Sequence, residues 1–251
     1  MSLNGNHIGS ANENSVNASG NHIGSLNENS LHASLKGWYQ IPGDIIEAKY
    51  HSYYIDLVRG DLLIEIQTRN LYQIRRKIEA LLLNNPVRLV YPISLEKWIL
   101  RPTSTETFSR RKSPRRGNIF DLFYEFTRIT SLVNYENFSF QVLFIKEEVI
   151  YAPPGTGQRK GSWRRKGWII KDRRLVEVVD SRLFNSKKDF LALLDVLPIE
   201  AQFTVKDLGE NINVNHKLAA RILYSFRKMD LIYQSGKQGR AYAYKKHECA
   251  N

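Results

Sequence analysis

The sequence YYIDLVRGDLLIEIQ, residues 53–67, has the pattern of two β-strands joined by a tight turn. Apolar β-forming residues dominate both arms, and Gly60-Asp61 between them favours a two-residue type II′ hairpin turn. This turn sets Asp56 opposite Glu65. Because side chains alternate along a strand, Asp56, Glu65 and Gln67 share one face of the hairpin. The other face holds the apolar residues Ile55, Leu57, Leu62, Ile64 and Ile66.

Two carboxylates directly opposite each other in a sheet repel unless a positive charge lies between them. Carboxylate oxygens are the ligands that Mg²⁺ and Mn²⁺ prefer. The hairpin therefore predicts a Mg²⁺ or Mn²⁺ site held by Asp56 and Glu65.

An aspartate on one strand, a hairpin and then Glu-X-Gln on the next strand resemble the PD-(D/E)XK nuclease superfamily. The resemblance implies metal-dependent cleavage of phosphodiester bonds, with Asp56 and Glu65 as metal ligands and the Ile66 carbonyl assisting. It also implies that Gln67 orients water or the scissile phosphate. Most members carry lysine at the position of Gln67, and glutamine neither lends a positive charge nor exchanges a proton.

The order of the predicted elements in residues 25–101 also resembles that of the nuclease core. A helix opening near Ser25, the strand 44–50, the hairpin, a helix 71–83 and the strand 87–93 follow one another, and 96–101 predicts a further strand. The helical crossover implies parallel pairing of the third and fourth strands. We therefore predict an α/β (α+β) fold with a mixed-sheet, restriction-endonuclease-like core.

The segment before this core is an imperfect tandem repeat of residues 5–19 and 20–34, and its polar composition predicts disorder in residues 1–24. Ser25 and Glu28 fit a capping box that opens the first helix, with Leu31, Leu35 and Trp38 as its apolar stripe. In the nuclease family the first core helix often adds an acidic residue to the site, which makes Glu28 the candidate for a third catalytic carboxylate. Alternatively, Glu28 only caps the helix, and Glu47 is the second candidate.

The formal charge of +12 favours a polyanionic partner, and the excess is clustered. Residues 102–183 form a basic middle segment with a predicted helix from Asn118 to about Val133 and later strands. Basic residues interleaved with aromatic rings suit nucleic-acid binding, although a solvated loop is the alternative. The candidate DNA contacts are Arg110, Arg111, Lys112, Arg115 and Arg116 in a first loop and Arg164, Arg165 and Lys166 in a second.

Residues 184–247 show three helical segments followed by a basic hairpin, which resembles a winged helix. In that family the third helix enters the major groove and the wing contacts the backbone. The resemblance places His216, Lys217 and Arg221 against DNA and puts Lys237 and Arg240 on the wing. A winged helix that binds protein is the alternative.

The composition excludes two further classes of protein. The single cysteine, Cys249, excludes an internal disulfide framework, and no apolar run approaches the roughly 18 residues of a membrane span. We expect a cytoplasmic, metal-dependent DNA endonuclease. A non-catalytic DNA-binding regulator and a structural interaction protein are the alternatives, and a homodimer stays open.

Overall fold

The computed structural model describes residues 30–103, 107–153, 167–195, 197 and 202–247. The first part contains α1 (Ser30–Tyr39), β1 (Ile45–Tyr50), β2 (Tyr53–Arg59), β3 (Leu62–Ile66), α2 (Leu71–Leu81), β4 (Val87–Pro102) and β5 (Phe108–Lys112). The middle contains 3₁₀ turns at Ile119–Leu122 and Thr130–Asn134, α3 (Phe123–Phe126), β6 (Phe138–Ala152) and β7 (Ile169–Phe184). The last part contains α4 (Lys187–Leu191), a 3₁₀ turn (Ala192–Leu194), β8 (Phe203–Thr204), α5 (Val205–Asn211), α6 (His216–Lys228), β9 (Ile232–Gln238) and β10 (Ala241–Lys246).

The predicted α/β (α+β) class with a mixed sheet is confirmed, because helices pack on a sheet of parallel and antiparallel strands. Seven strands of the described ranges form this sheet, in the order β1-β2-β3-β4-β6-β7, with β5 also paired to β4. The pairs β1–β2, β2–β3 and β6–β7 are antiparallel, whereas β3–β4 and β4–β6 are parallel. The parallel pairing of β3 with β4 is the one that the helical crossover through α2 predicts.

The sheet buries a different apolar cluster on each face. On one face, α1 packs on a cluster that contains Leu57, Ile64 and Ile66. On the other face, α2, α3 and the C-terminal helices share one larger cluster. The α1 stripe differs from the prediction in one residue, since Tyr39 is buried and Trp38 is 51% exposed.

The hairpin has the predicted register as far as its ladder extends. Arg59 pairs with Leu62 and Leu57 pairs with Ile64, and Gly60 has a φ of 55° at the turn. One predicted face is wrong: Ile55 joins the cluster on the α2 side, whereas Leu57 faces α1. At the same point the β1–β2 ladder is interrupted, and Glu47, across from Asp56 on β1, has a left-handed φ of 50°.

The middle segment is structurally part of the sheet. β6 and β7 extend it beyond β4, so that the predicted boundary at residue 101 falls inside one sheet. The strand expected at 96–101 is the second half of the long β4, and part of the expected linker is the strand β5. The helix expected over 118–133 is divided into three short pieces, which begin with a capping box at Asn118.

The C-terminal part has the order helix, strand, helix, helix, strand, strand, with a three-stranded sheet β8-β10-β9. Capping boxes at Ser186 and Thr204 begin α4 and α5. This part packs on the middle part through aromatic rings, with 5.6 Å between the ring centroids of Phe123 and Phe226. None of the helices in the described ranges has the length and apolar content needed to cross a bilayer.

Candidate active site

The candidate site lies where β2 and β3 separate. In a two-residue hairpin, bonded and non-bonded pairs alternate, and the Ile66 N–H would normally donate to the Ile55 carbonyl. The ladder stops one pair earlier, at Leu57 and Ile64. The Ile66 N–H donates instead to Oδ2 of Asp56, at 2.8 Å. A carboxylate therefore occupies the gap between the two strands.

His32 on α1 also contacts Asp56. Its Nε2 lies 3.2 Å from Oδ2 of Asp56. Burial alone would raise the pKa of Asp56, but the hydrogen bond and charge of His32, the Ile66 N–H and the charge of Lys77 together lower it below its ordinary value. Asp56 is therefore held as a carboxylate.

Glu65 is the second carboxylate of the site and is only 3% exposed. The ammonium group of Lys77 on α2 forms an ion pair with Oε1 of Glu65, and it also donates to the Tyr54 carbonyl. Burial and the charge of Asp56 raise the pKa of Glu65 to about 7, although Lys77 opposes this rise. The two carboxylates are thus close enough for the charge of one to disfavour ionisation of the other.

The donor set is compatible with Mg²⁺ or Mn²⁺. The described residues contain no group of three or more His, Cys, Asp or Glu side chains placed to hold a metal ion. Mg²⁺ is commonly bound by one or two carboxylates and keeps several waters, so Asp56 and Glu65 have the ligand chemistry that it takes. Glu28 lies outside the described residues, and Glu47 pairs with Lys36 at 2.6 Å.

Gln67 is half-buried, and its side-chain amide donates to the Arg69 carbonyl at 2.5 Å. The cation near the carboxylates comes instead from Lys77 on α2. Lys77 lies three residues after Ile74 and four before Leu81, both of which are buried. A lysine within the apolar stripe of an amphipathic helix was the signal that could have identified it.

The basic residues of β5 and the following loop are exposed, and several have carboxylate partners. Arg110 lies 2.8 Å from Glu148, Lys112 lies 2.6 Å from Glu96, Arg115 lies 2.9 Å from Asp121 and Arg116 lies 3.9 Å from Glu96. Arg111 is exposed on the same strand. The predicted contacts Arg164, Arg165 and Lys166 lie outside the described residues.

The C-terminal candidates divide into two groups. His216 and Lys217 are exposed at the start of α6, and Lys237 and Arg240 are exposed on the β9–β10 hairpin. Arg221 instead donates to the Tyr124 carbonyl at 2.6 Å, with its guanidinium 5.5 Å from the Tyr124 ring centroid. Arg221 therefore connects α6 to α3.

Residues 29–185 match the model of a protein family described as a domain of unknown function (DUF8091). This match spans more than half of the chain. The chain belongs to the DUF8091 family. The DUF8091 region coincides with α1 and the seven-stranded sheet and contains Asp56, Glu65 and Lys77.

The chain is also similar to an uncharacterized protein of Treponema pallidum (strain Nichols). The two are 31% identical over 218 residues, which cover 85% of this chain and 83% of the relative. Because the aligned region is longer than 185 residues, it extends beyond residue 185 into the C-terminal part. No solved structure matches.

Proposed function

We propose that the DUF8091 region is a metal-dependent nuclease that hydrolyses phosphodiester bonds of DNA in the cytoplasm. The proposal rests on one observation above all. Asp56 and Glu65 approach each other in a buried gap of the sheet, where the charge of Asp56 contributes to the raised pKa of Glu65. A bound cation would relieve this repulsion.

Each residue of the site then has a role. Asp56 and Glu65 hold Mg²⁺ or Mn²⁺, which when bound activates water and neutralises charge on the phosphate. His32 and the Ile66 N–H orient Asp56. Lys77 supplies the positive charge that Gln67 lacks, and its ammonium donates to a phosphate oxygen.

DNA is held by exposed basic residues outside the site. The strand β5, the start of α6 and the β9–β10 hairpin carry them, and the C-terminal part acts as a winged helix. Such contacts neutralise phosphates and weaken as salt rises.

Plasmid DNA incubated with the full chain and Mg²⁺ or Mn²⁺, with and without chelator, tests the proposal. We expect nicking or linearisation that chelator abolishes. Asp56→Asn and Glu65→Gln should lose cleavage and keep DNA binding at low salt. Cleavage by these variants at the wild-type rate would refute the roles of Asp56 and Glu65.

A non-catalytic DNA-binding regulator is the second candidate. The observation that favours it is that each of the two carboxylates has a basic partner within the chain, His32 for Asp56 and Lys77 for Glu65. This candidate predicts salt-dependent DNA binding with no cleavage under either metal. Gel filtration of the protein–DNA complex would show whether it binds as a monomer or as a homodimer.

A further inference from the structure

A polar cavity lies beside the candidate active site, on the same face of the sheet as Glu65. It has a volume of about 270 Å³ and is lined by Thr68, which directly follows Gln67, and by Tyr91. The Gln67 N–H donates to the Val90 carbonyl at 2.9 Å, which places Gln67 next to Tyr91. The opposite wall of the cavity comes from the loop after β5, including Arg115, and from α3, including Tyr124.

A buried carboxylate lines this cavity. Glu147 on β6 is 0% exposed, and its Oε2 accepts a hydrogen bond from Nε of Arg173 at 2.6 Å. Its Oε1 accepts no hydrogen bond from any described residue, although the Lys97 ammonium lies 3.3 Å away as an ion pair. A carboxylate oxygen can accept two hydrogen bonds, so Oε1 has capacity that the long contact with Lys97 does not use, and a ligand in the cavity that donates to Oε1 would add a charge-assisted hydrogen bond.

The charges around the cavity indicate what kind of ligand it takes. Its cations are Lys97, Arg115 and Arg173, and its carboxylates are Asp121, Glu125 and Glu147. Three charges of each sign leave the lining neutral, which disfavours both a free anion and a divalent cation. A polar, uncharged ligand with donors and acceptors fits this balance.

The shape of the lining groups favours a flat ligand. The rings of Tyr91 and Tyr124 border the cavity, and the planar guanidinium of Arg115 lies 5.8 Å from the Tyr124 ring centroid. Burial and the charge of Glu125 raise the pKa of Tyr91 to about 12, so its hydroxyl stays a donor. Nucleobases stack on aromatic rings and on guanidinium planes.

We propose that this cavity binds one nucleobase that carries an exocyclic amino group, with the amino group donating to Oε1 of Glu147. Carboxylates accept from cytosine N4 in the same way where proteins recognise bases in DNA. The base belongs either to a free nucleotide or to a strand bound at the active site. The strand source rests on the proposed function, whereas the free nucleotide does not.

Calorimetric titration of the full chain with cytidine and uridine monophosphates tests the proposal. The two bases differ at one position, where cytosine has an amino group and uracil has a carbonyl. We expect cytidine monophosphate to bind at least about tenfold more tightly, since a buried polar mismatch costs on the order of one tenfold step or more. Equal affinity, competition by inorganic phosphate alone, or no binding of cytidine monophosphate would overturn it.

Two variants locate the binding site. Glu147→Gln should remove the preference for the base with an amino group. Tyr124→Leu should weaken the binding of cytidine monophosphate about tenfold. Glu147 pairs with Arg173, so its replacement could unfold the chain, and thermal unfolding is therefore measured on each variant. If Glu147→Gln fails to fold, Tyr124→Leu alone tests the binding site. Tyr135→Leu, a control at a tyrosine 37% exposed outside the cavity, should bind as the wild type does. Equal losses in Tyr124→Leu and Tyr135→Leu would refute the site.

Homopolymers of deoxycytidine and thymidine separate the two sources. A preference for the deoxycytidine strand that Tyr124→Leu abolishes supports a base of the bound strand. Binding of the mononucleotide with no strand preference supports a free nucleotide. The plasmid assay is independent of both titrations, so a nuclease without base preference disproves the cavity proposal alone.

Discussion

Oδ2 of Asp56 accepts a hydrogen bond from the backbone N–H of Ile66 at 2.8 Å, in place of the main-chain carbonyl that a continuous hairpin would supply. The side chain of Asp56 thereby replaces one link of the β2–β3 ladder. Its position is fixed by the backbone of the neighbouring strand, which is how a binding carboxylate is held in place before its ligand arrives. The gap that results gives both α1 and α2 access to the same pair of carboxylates.

The first prediction separates the structural role of Asp56 from its chemical role. Asp56→Asn keeps an oxygen that can accept from the Ile66 N–H, whereas Asp56→Ala leaves that buried donor without a partner. We expect Asp56→Ala to lose about 2 kcal/mol of unfolding free energy and Asp56→Asn to lose less. Urea denaturation measures both, and both variants should lack cleavage. Equal stability of the two variants would contradict the role of the hydrogen bond.

The second prediction concerns the pH dependence of stability through Glu65. Its pKa is raised from 4.5 to about 7 in the folded protein, so the folded state holds this proton more tightly than the unfolded chain does. The stabilisation is therefore complete below pH 4.5 and is lost as pH rises to about 7. The loss should be on the order of 3 kcal/mol and should be absent in Glu65→Gln.

Urea denaturation between pH 4.5 and 8 measures this difference. Asp56 does not interfere in this window, because its lowered pKa adds stability that is lost only as pH falls below its ordinary range. At pH 8, Mg²⁺ should raise the unfolding temperature of the wild type and not that of Glu65→Gln. A parallel pH profile for the wild type and Glu65→Gln would contradict the assignment.

Local sequence preferences explain why the hairpin and the helical crossover were predictable from the sequence. Gly60 at the turn and the alternation of apolar residues set the register, and the helical pattern between β3 and β4 required parallel pairing. The course of β6 and β7 was not predictable, because only pairing between distant segments joins them to β4. The contact of Arg221 with Tyr124, 97 residues apart, has no local signal either.

Within the candidate site, the sequence predicted the two carboxylates and not the groups around them. Strand register, a local property, placed Asp56 opposite Glu65 in the prediction, although the β2–β3 ladder ends before them at Leu57 and Ile64. His32 and Lys77 arrive from two helices on opposite faces of the sheet, and their approach depends on the gap that Asp56 makes. The side chain of Gln67, which the motif placed in the site, donates to the Arg69 carbonyl.

The third prediction tests Lys77 as the cation of the site. Lys77→Met removes the ammonium group beside Glu65, so cleavage should fall by about two orders of magnitude or more, the usual cost of losing one charge-stabilising donor. The pKa of Glu65 should also rise further, because Lys77 is one of the groups that lower it. Single-turnover plasmid cleavage measures the first effect and the stability profile against pH measures the second.

Arg76→Met is the matched control for Lys77→Met. It removes a neighbouring charge from the exposed side of the same helix. Cleavage at low salt should stay within a few-fold of the wild type in this variant. A comparable loss in Arg76→Met and Lys77→Met would show that general charge on α2, rather than the contact with Glu65, supports activity.

The last prediction contrasts two basic residues of α6. Lys217 is exposed, and replacing it with alanine should remove one phosphate contact, weaken DNA binding at every sequence and reduce the slope of log affinity against log salt by about 0.9. Arg221→Ala should leave that slope unchanged, because its guanidinium is engaged by Tyr124. It should instead lower the stability of the whole chain, since it removes a contact between α6 and α3. Fluorescence anisotropy over a salt series measures the slope, and urea denaturation measures the stability. A reduced salt slope in Arg221→Ala would show that this arginine leaves Tyr124 to bind DNA.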